Sequence, residues 1–204
     1  DREDRLPSYD AINTKISGYT LAVFNPSAFL KECAKEKYEF REGKQIEAFT
    51  QERREHFLTG MMKVNFLKRL ESSVHSFQVS MDRTIGKIDA LLKRIEEYGN
   101  RPDAQVKLSF DEAMPNDTEQ DWTVGKKEYH LADLRLDEWK EALRLDRDQL
   151  NELFLLARGV DAKHDAKLFE LKRIIMDKVI QPFNGANKKV LVVTACADTA
   201  DYSY

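Results

Sequence analysis

The chain has few of the residues that break or staple a fold. Its 204 residues include only 8 Gly, 5 Pro and 2 Cys. Scarce Gly and Pro leave few turn signals, so long elements are expected. Cys33 and Cys196 lie far apart and form no CxxC pair. That argues against a zinc site or a disulfide framework and favours free thiols in a reducing cytoplasm. His56, His75, His130 and His164 are scattered, with no HExxH spacing. No apolar run reaches the ~18 residues of a membrane span. The opening DREDRLPSYD is charged and has no apolar core, so no signal peptide is expected. It also carries no initiating Met, and a piece excised from a longer protein is the expectation. Formal net charge is −3, which excludes a global basic field. Any contact with nucleic acid must therefore be local.

Charge and apolar content are both plentiful. Charged residues make up 34% and hydrophobic residues 42% of the chain, a pairing that favours helices with long solvated faces. Asn25-Pro26-Ser27 marks a turn and a helix start, because Pro pre-sets φ in a first turn and Asn or Ser caps it. Residues 36–48 are polar and read as a loop. From Thr50, apolar positions recur at Phe57, Met61, Val64, Leu67, Leu70, Val74, Phe77, Met81, Ile85, Ile88, Leu92 and Ile95. Every step is three or four, the helical period. Tyr98-Gly99-Asn100 with Pro102 ends the run. One helix of roughly 45 residues would span about 67 Å, long for a globular domain. A break near Gly60 or Ser72-Ser73 is the alternative. The stripe from Leu67 to Ile95 reads as core.

Residues 101–130 have the weakest pattern and read as a mobile acidic linker, with one short ordered piece around Val106–Phe110. Over 101–157 there are 14 acids against 8 bases, so the acidity of the chain sits there. The loop at 111–121 lacks the order and the Gly of a calcium-binding EF-hand. DEWKEALRLDRDQLNELFLLARGV is helical, with Trp139, Leu143, Leu145, Leu150, Leu153, Phe154 and Ala157 on its apolar side and Gly159 as its stop. Another helix follows, with Asp165 as N-cap and Pro182 setting the end. Val190–Thr194 is a continuous, largely β-branched apolar run, the pattern of a buried strand. Ala197–Tyr204 reads as the start of a further helix. Helix, loop, buried strand and helix together resemble the opening of a layered α/β domain.

The stretch MMKVNFLKRLESSVHSF, residues 61–77, holds Lys63, Lys68 and Arg69 with no acid between Met61 and Leu70. A solvated helix face accounts for such a shoulder, and so does contact with phosphate. Arg and Lys beside Ser hydroxyls suit backbone oxygens, and such contacts position without reading sequence. The shoulder is weak, since residues 51–98 carry 9 bases and 7 acids. Ser72, Ser73 and His75 do not make a nucleophile–base pair, because near neighbours on one helix point in different directions. The serines relax the helix or bond to the preceding turn. Trp122 and Trp139 read as packing residues.

FTQERREHFLTGMMKVNFLKRLESSVHSF and DAKLFELKRIIMDKVIQPFNGANKKVLVVTACADTADY together resemble the middle of bacterial superfamily-two helicase-like ATPases of the Swi/Snf type. The resemblance is strongest at 49–80 and 164–202. Leu67–Ser73 resembles the segment after the first RecA-like lobe, Asp165–Leu171 the helix leading into the second lobe, and Lys189–Tyr202 that lobe's first strand, motif IV. The family more often has an aromatic where this chain has Val193 or Cys196. The resemblance implies a helical region between two lobes that clamp ATP and Mg and track along DNA. It implies backbone contact by Lys68, Arg69, Ser72 and Ser73, with Lys63 beside them, and places Thr194 facing nucleic acid. The chain has no GxxxxGK[ST], no DEAH-type box and no late arginine motif, so ATP and Mg belong to the intact protein and no catalytic residue is assigned here.

The expected fold is mainly α, a long-helix bundle with a single C-terminal strand that would begin the second RecA-like lobe. Residues 1–48 form a turn and short-helix segment after the first lobe. Residues 49–187 form the inter-lobe bundle, and 188–204 start the second lobe. Leu67, Leu70, Val74 and Phe77 are expected to hold the bundle. The alternative is a stand-alone helical interaction module or coiled-coil adaptor. Self-association through the strand at 190–194 is expected, because an unpaired edge invites another copy.

Overall fold

The computed structural model describes residues 6–38, 51–100, 107–109, 128–160 and 165–203. The chain is mainly helical. Its helices are α1 (Tyr9–Gly18), α2 (Glu32–Tyr38), α3 (Gln51–Ser72), α4 (Val74–Asn100), α5 (Leu136–Arg158), α6 (Ala166–Ile180) and α7 (Ala197–Ser203). Short strands β1 (Lys107–Ser109) and β2 (Glu128–His130) pair antiparallel, Leu108 opposite Tyr129. β1 falls on the ordered piece expected inside the acidic linker. β2 closes that linker, and residues 101–106 and 110–127, with Thr50, lie outside the described residues.

The long apolar run is two helices, broken at Ser73. The Ser73 amide donates to the Arg69 carbonyl at 3.0 Å, closing α3. Its carbonyl accepts from Phe77 at 3.1 Å, and its hydroxyl accepts from the Ser76 amide at 3.0 Å, opening α4. Serine suits this N-cap because its short oxygen reaches an orphan N–H of the first turn.

Contacts along the helices show their directions. Tyr9 bonds Glu71 and Lys63 bonds the Ser17 carbonyl, so α1 runs antiparallel to α3. Lys15 pairs with Glu152 and Tyr19 bonds the Gln149 carbonyl, so α1 also runs antiparallel to α5. Arg144 reaches Glu96, Arg147 reaches Asp89, and Gln78 donates to the Ala157 carbonyl, so α4 is antiparallel to α5. Hence α3 and α4 form an antiparallel hairpin with Ser73 at its tip, completed by α1 and α5 into an up-and-down bundle.

The core of the bundle takes Phe77, Met81, Ile88, Leu92 and Ile95 from α4 and Trp139, Leu143, Leu150, Leu153 and Ala157 from α5. Leu67, Leu70 and Val74 pack partly buried against it, as does Phe154. Two expectations need correction. Leu145 is exposed, and on α3 Phe57, Met61 and Val64 face solvent while Leu58, Met62 and Phe66 are buried. α3 is apolar on both sides, and tertiary packing selects the inner one.

That inner side also carries Glu55, fully buried, which accepts from the Ser27 amide at 2.7 Å and from the Tyr129 hydroxyl at 2.5 Å. A buried carboxylate needs donors, and Glu55 thereby fastens α3 to β2 and to the 3₁₀ turn at Pro26–Phe29. A second buried carboxylate, Asp146 on α5, accepts from the amides of Leu21 at 3.0 Å and Ala22 at 2.6 Å. Leu21 sits in the left-handed region at φ 51°, unusual for a side chain other than Gly or Asn. Asp146 holds it there, and the Trp139 indole N–H donates to the Ala22 carbonyl at 3.0 Å. Residues 21–24 are thus buried, with the amides of Leu21 and Ala22 bonded to Asp146 and that of Phe24 to the Leu21 carbonyl.

α6 and the residues after it lie outside this core. α6 buries none of its residues, and Phe169, Met176, Ile180 and Phe183 are exposed. Asp165 caps its start as expected, accepting from the amides of Lys167 and Leu168 at 3.0 Å. Residues 190–194 belong to no strand ladder among the described residues, and Leu191 and Val193 are more than four-fifths exposed. α7 then begins where a further helix was expected and buries Thr199.

Candidate functional site

The tip of the α3–α4 hairpin carries a polar cluster. Three of its four hydroxyls belong to the residues singled out from the sequence. Ser72 Oγ lies 3.2 Å from Thr194 Oγ1 and 2.7 Å from Thr199 Oγ1, and Ser73 Oγ lies 2.9 Å from Thr199 Oγ1. These bonds bring α7 and Thr194 onto the tip from the far end of the sequence.

Arg69 lies beneath the hydroxyls and is nearly buried. Its Nη1 donates to Ser76 Oγ at 3.0 Å and pairs with Asp198 Oδ2 at 2.5 Å. The other carboxylate oxygen of Asp198 is 3.6 Å from Arg83 Nη2. A charge this far from water needs a partner, and Asp198 is that partner. Lys167, from the first turn of α6, donates to the carbonyls of Glu71 and Ser72. An ammonium there satisfies orphan carbonyls at the α3 C-terminus and complements its dipole. Around the back, His75 stacks on Tyr202 at 4.9 Å, and the Tyr202 hydroxyl donates to Asp165 at 3.2 Å.

Between the tip, α6 and residues 190–203 runs an open groove of about 1520 Å³. Its wall mixes the hydroxyls with Lys68, Arg69 and Lys167 and the acids Glu71, Asp165 and Asp198, so formal charge balances along it. Lys68 is exposed on this wall.

The structure therefore brings Lys68, Arg69, Ser72, Ser73 and Thr194 to one wall. Lys63 is elsewhere. It bonds the Ser17 carbonyl of α1 at 2.8 Å, and burial pushes its ammonium below the usual lysine range, with Asp146 opposing. Asp198, Thr199, Arg83 and Lys167 also belong to this site and were not singled out by sequence. Lys167 lies in the segment Asp165–Leu171, and Asp198 and Thr199 in the segment Lys189–Tyr202, both set apart by resemblance, whereas Arg83 carried no signal. Among the described residues, no group of three or more His, Cys, Asp or Glu side chains is placed to hold a metal ion, and no helix is long and apolar enough to cross a membrane. Comparison with protein-family models, with curated proteins and with solved structures finds no match for this chain.

Proposed function

We propose that this chain is the helical region between the two lobes of an ATP-dependent DNA translocase of the helicase-like type, and that its hairpin tip contacts the DNA backbone. The observation that carries the proposal is the apolar run at 190–193. It is flanked by α6, which buries nothing, and by α7, which grips the hairpin tip. Exposed apolar side chains in a row are unfavourable in water, and packing within a sheet between neighbouring layers relieves them. A second RecA-like lobe supplies that layer, with α6 covering one face of its sheet.

In this arrangement the tip hydroxyls and Lys68 meet phosphate oxygens, which fixes register without reading bases. ATP and Mg are held by the lobes, since the chain has no phosphate-cradling glycine motif. The bundle transmits lobe movement through the rigid α3–α4 hairpin. The test is the coding sequence on either side. A Walker A segment upstream and an arginine-rich motif downstream are expected, and an intact protein with neither contradicts the proposal.

A second reading, a helical protein-interaction module, is favoured by the exposed stripe Phe57, Met61 and Val64 on α3. It predicts that a partner covers this stripe while DNA leaves the chain untouched.

A further inference from the structure

We infer that the chain's own Asp198 occupies the phosphate-binding position of the hairpin tip, so that DNA and α7 compete for the same guanidinium groups. The inference rests on the proposed nucleic-acid contact and specifies its regulation. Asp198 presents one carboxylate oxygen to Arg69 and the other to Arg83, while the adjacent Thr199 hydroxyl meets Ser72 and Ser73. Two guanidinium groups beside a set of hydroxyls is the donor arrangement that a phosphodiester also uses. A carboxylate held there by charge and hydrogen bonds is an internal stand-in for the phosphate.

The rest of the α7 contact suits exchange. Its attachments include hydroxyl–hydroxyl bonds, the Asp198 pair, the Tyr202 hydroxyl on Asp165, and the stacking of His75 on Tyr202. Thr199 is its only buried residue. Another anion that offers oxygens to the same donors can take over polar contacts of this kind, whereas an apolar seam has no such substitute. The balanced charge of the groove adds to this, because with Asp198 in place no net positive potential draws in a polyanion. When phosphate takes the guanidinium groups, α7 is released, and the 190–194 segment moves with it. DNA binding at the tip is thereby coupled to the position of the element proposed to start the second lobe.

The experiment is a fluorescence anisotropy titration of a short DNA duplex against wild type, Asp198→Asn, Asp201→Asn and the double variant Asp198→Asn/Arg69→Gln. Asp201 is an exposed acid on the same helix, so its variant makes an equal charge change outside the clasp. Asp198→Asn is expected to bind about three- to tenfold tighter than wild type, with a log–log salt slope steeper by about one. Asp201→Asn should show no such gain, and the double variant should lose it. Salt-sensitive wild-type binding with no gain in Asp198→Asn over Asp201→Asn overturns the clasp and leaves the nucleic-acid proposal standing. Salt-sensitive binding by none of the proteins overturns both. Hydrogen exchange on the wild type gives a measurement independent of variant folding. Amides of 197–203 should exchange faster with saturating duplex, and unchanged or slower exchange overturns the clasp.

Discussion

Ser73 Oγ lies 2.9 Å from Thr199 Oγ1 and 3.0 Å from the Ser76 amide, so one hydroxyl both starts α4 and docks α7. Ser73→Ala removes both bonds. Loss of an N-cap costs about 1 kcal/mol, and the buried Thr199 hydroxyl retains Ser72 as a partner. The expected loss is ~1–2 kcal/mol in urea unfolding. A change within about 0.3 kcal/mol would mean that Ser73 does not cap the hairpin.

The two faces of α3 should respond differently to truncation. Phe66→Ala empties a fully buried site and should cost about 3–5 kcal/mol. Phe57→Ser, on the exposed face, should stay within about 0.5 kcal/mol of wild type. Reversed magnitudes would restore the assignment read from periodicity.

How much of the fold was legible in the sequence depended on how single-sided each helix is. α4 and α5 carry one apolar stripe each, and burial follows it at Phe77, Met81 and Ile88 and at Leu143, Leu150 and Leu153. Gly159, Asp165 and Pro182 mark ends the structure keeps. α3 carries apolar residues on both sides, so period alone could not choose Met62 over Met61. The choice depends on Glu55, whose partners Ser27 and Tyr129 are distant in sequence. The buried 21–24 segment was hidden for the same reason, because the Leu21 and Ala22 amides are satisfied by Asp146, more than a hundred residues away. At the site, residues 61–77 supplied Arg69, Ser72 and Ser73, whereas their counterpart Asp198, 129 residues beyond Arg69, had nothing in the sequence to tie it to them.

Asp146 gives a stability effect with a defined sign. Burial pushes its carboxyl above the ordinary value of 3.8, against the lowering by the Ala22, Leu21 and Thr20 amides. The folded state therefore holds the proton more tightly than the unfolded state. Its contribution to stability is fully present below the ordinary value and is lost as pH rises through the raised one. Asp146→Asn puts an amide N–H against backbone donors and should cost about 2–3 kcal/mol at neutral pH. The gap to wild type should widen as pH falls towards 3.8. Urea melts across that window measure it, and a gap that narrows with acid would contradict the assignment.

Lys87 acts in the opposite direction. Its Nζ is shielded from solvent with no hydrogen-bond partner, and burial, aided by Arg83, pushes it down to about 8. Between there and the ordinary lysine value of 10.5 the unfolded chain holds a proton that the folded chain does not, so stability rises with pH. Lys87→Met should remove this rise and stabilise the protein at neutral pH by ~1 kcal/mol, a figure reduced for the partly solvated stem. Thermal melts of both proteins on either side of this window give the comparison. A wild-type melting temperature that falls as pH rises through it would contradict the prediction.

The most direct test of the central claim is the affinity of the wild-type chain for duplex DNA as a function of salt. Weak binding at about 50 mM salt that weakens further by about 200 mM, with a shallow log–log slope, is the expected result, because few phosphates are engaged by a charge-balanced groove. Lys68→Glu should weaken it further. No binding at low salt, or tight binding that ignores salt, would contradict a phosphate contact at the hairpin tip.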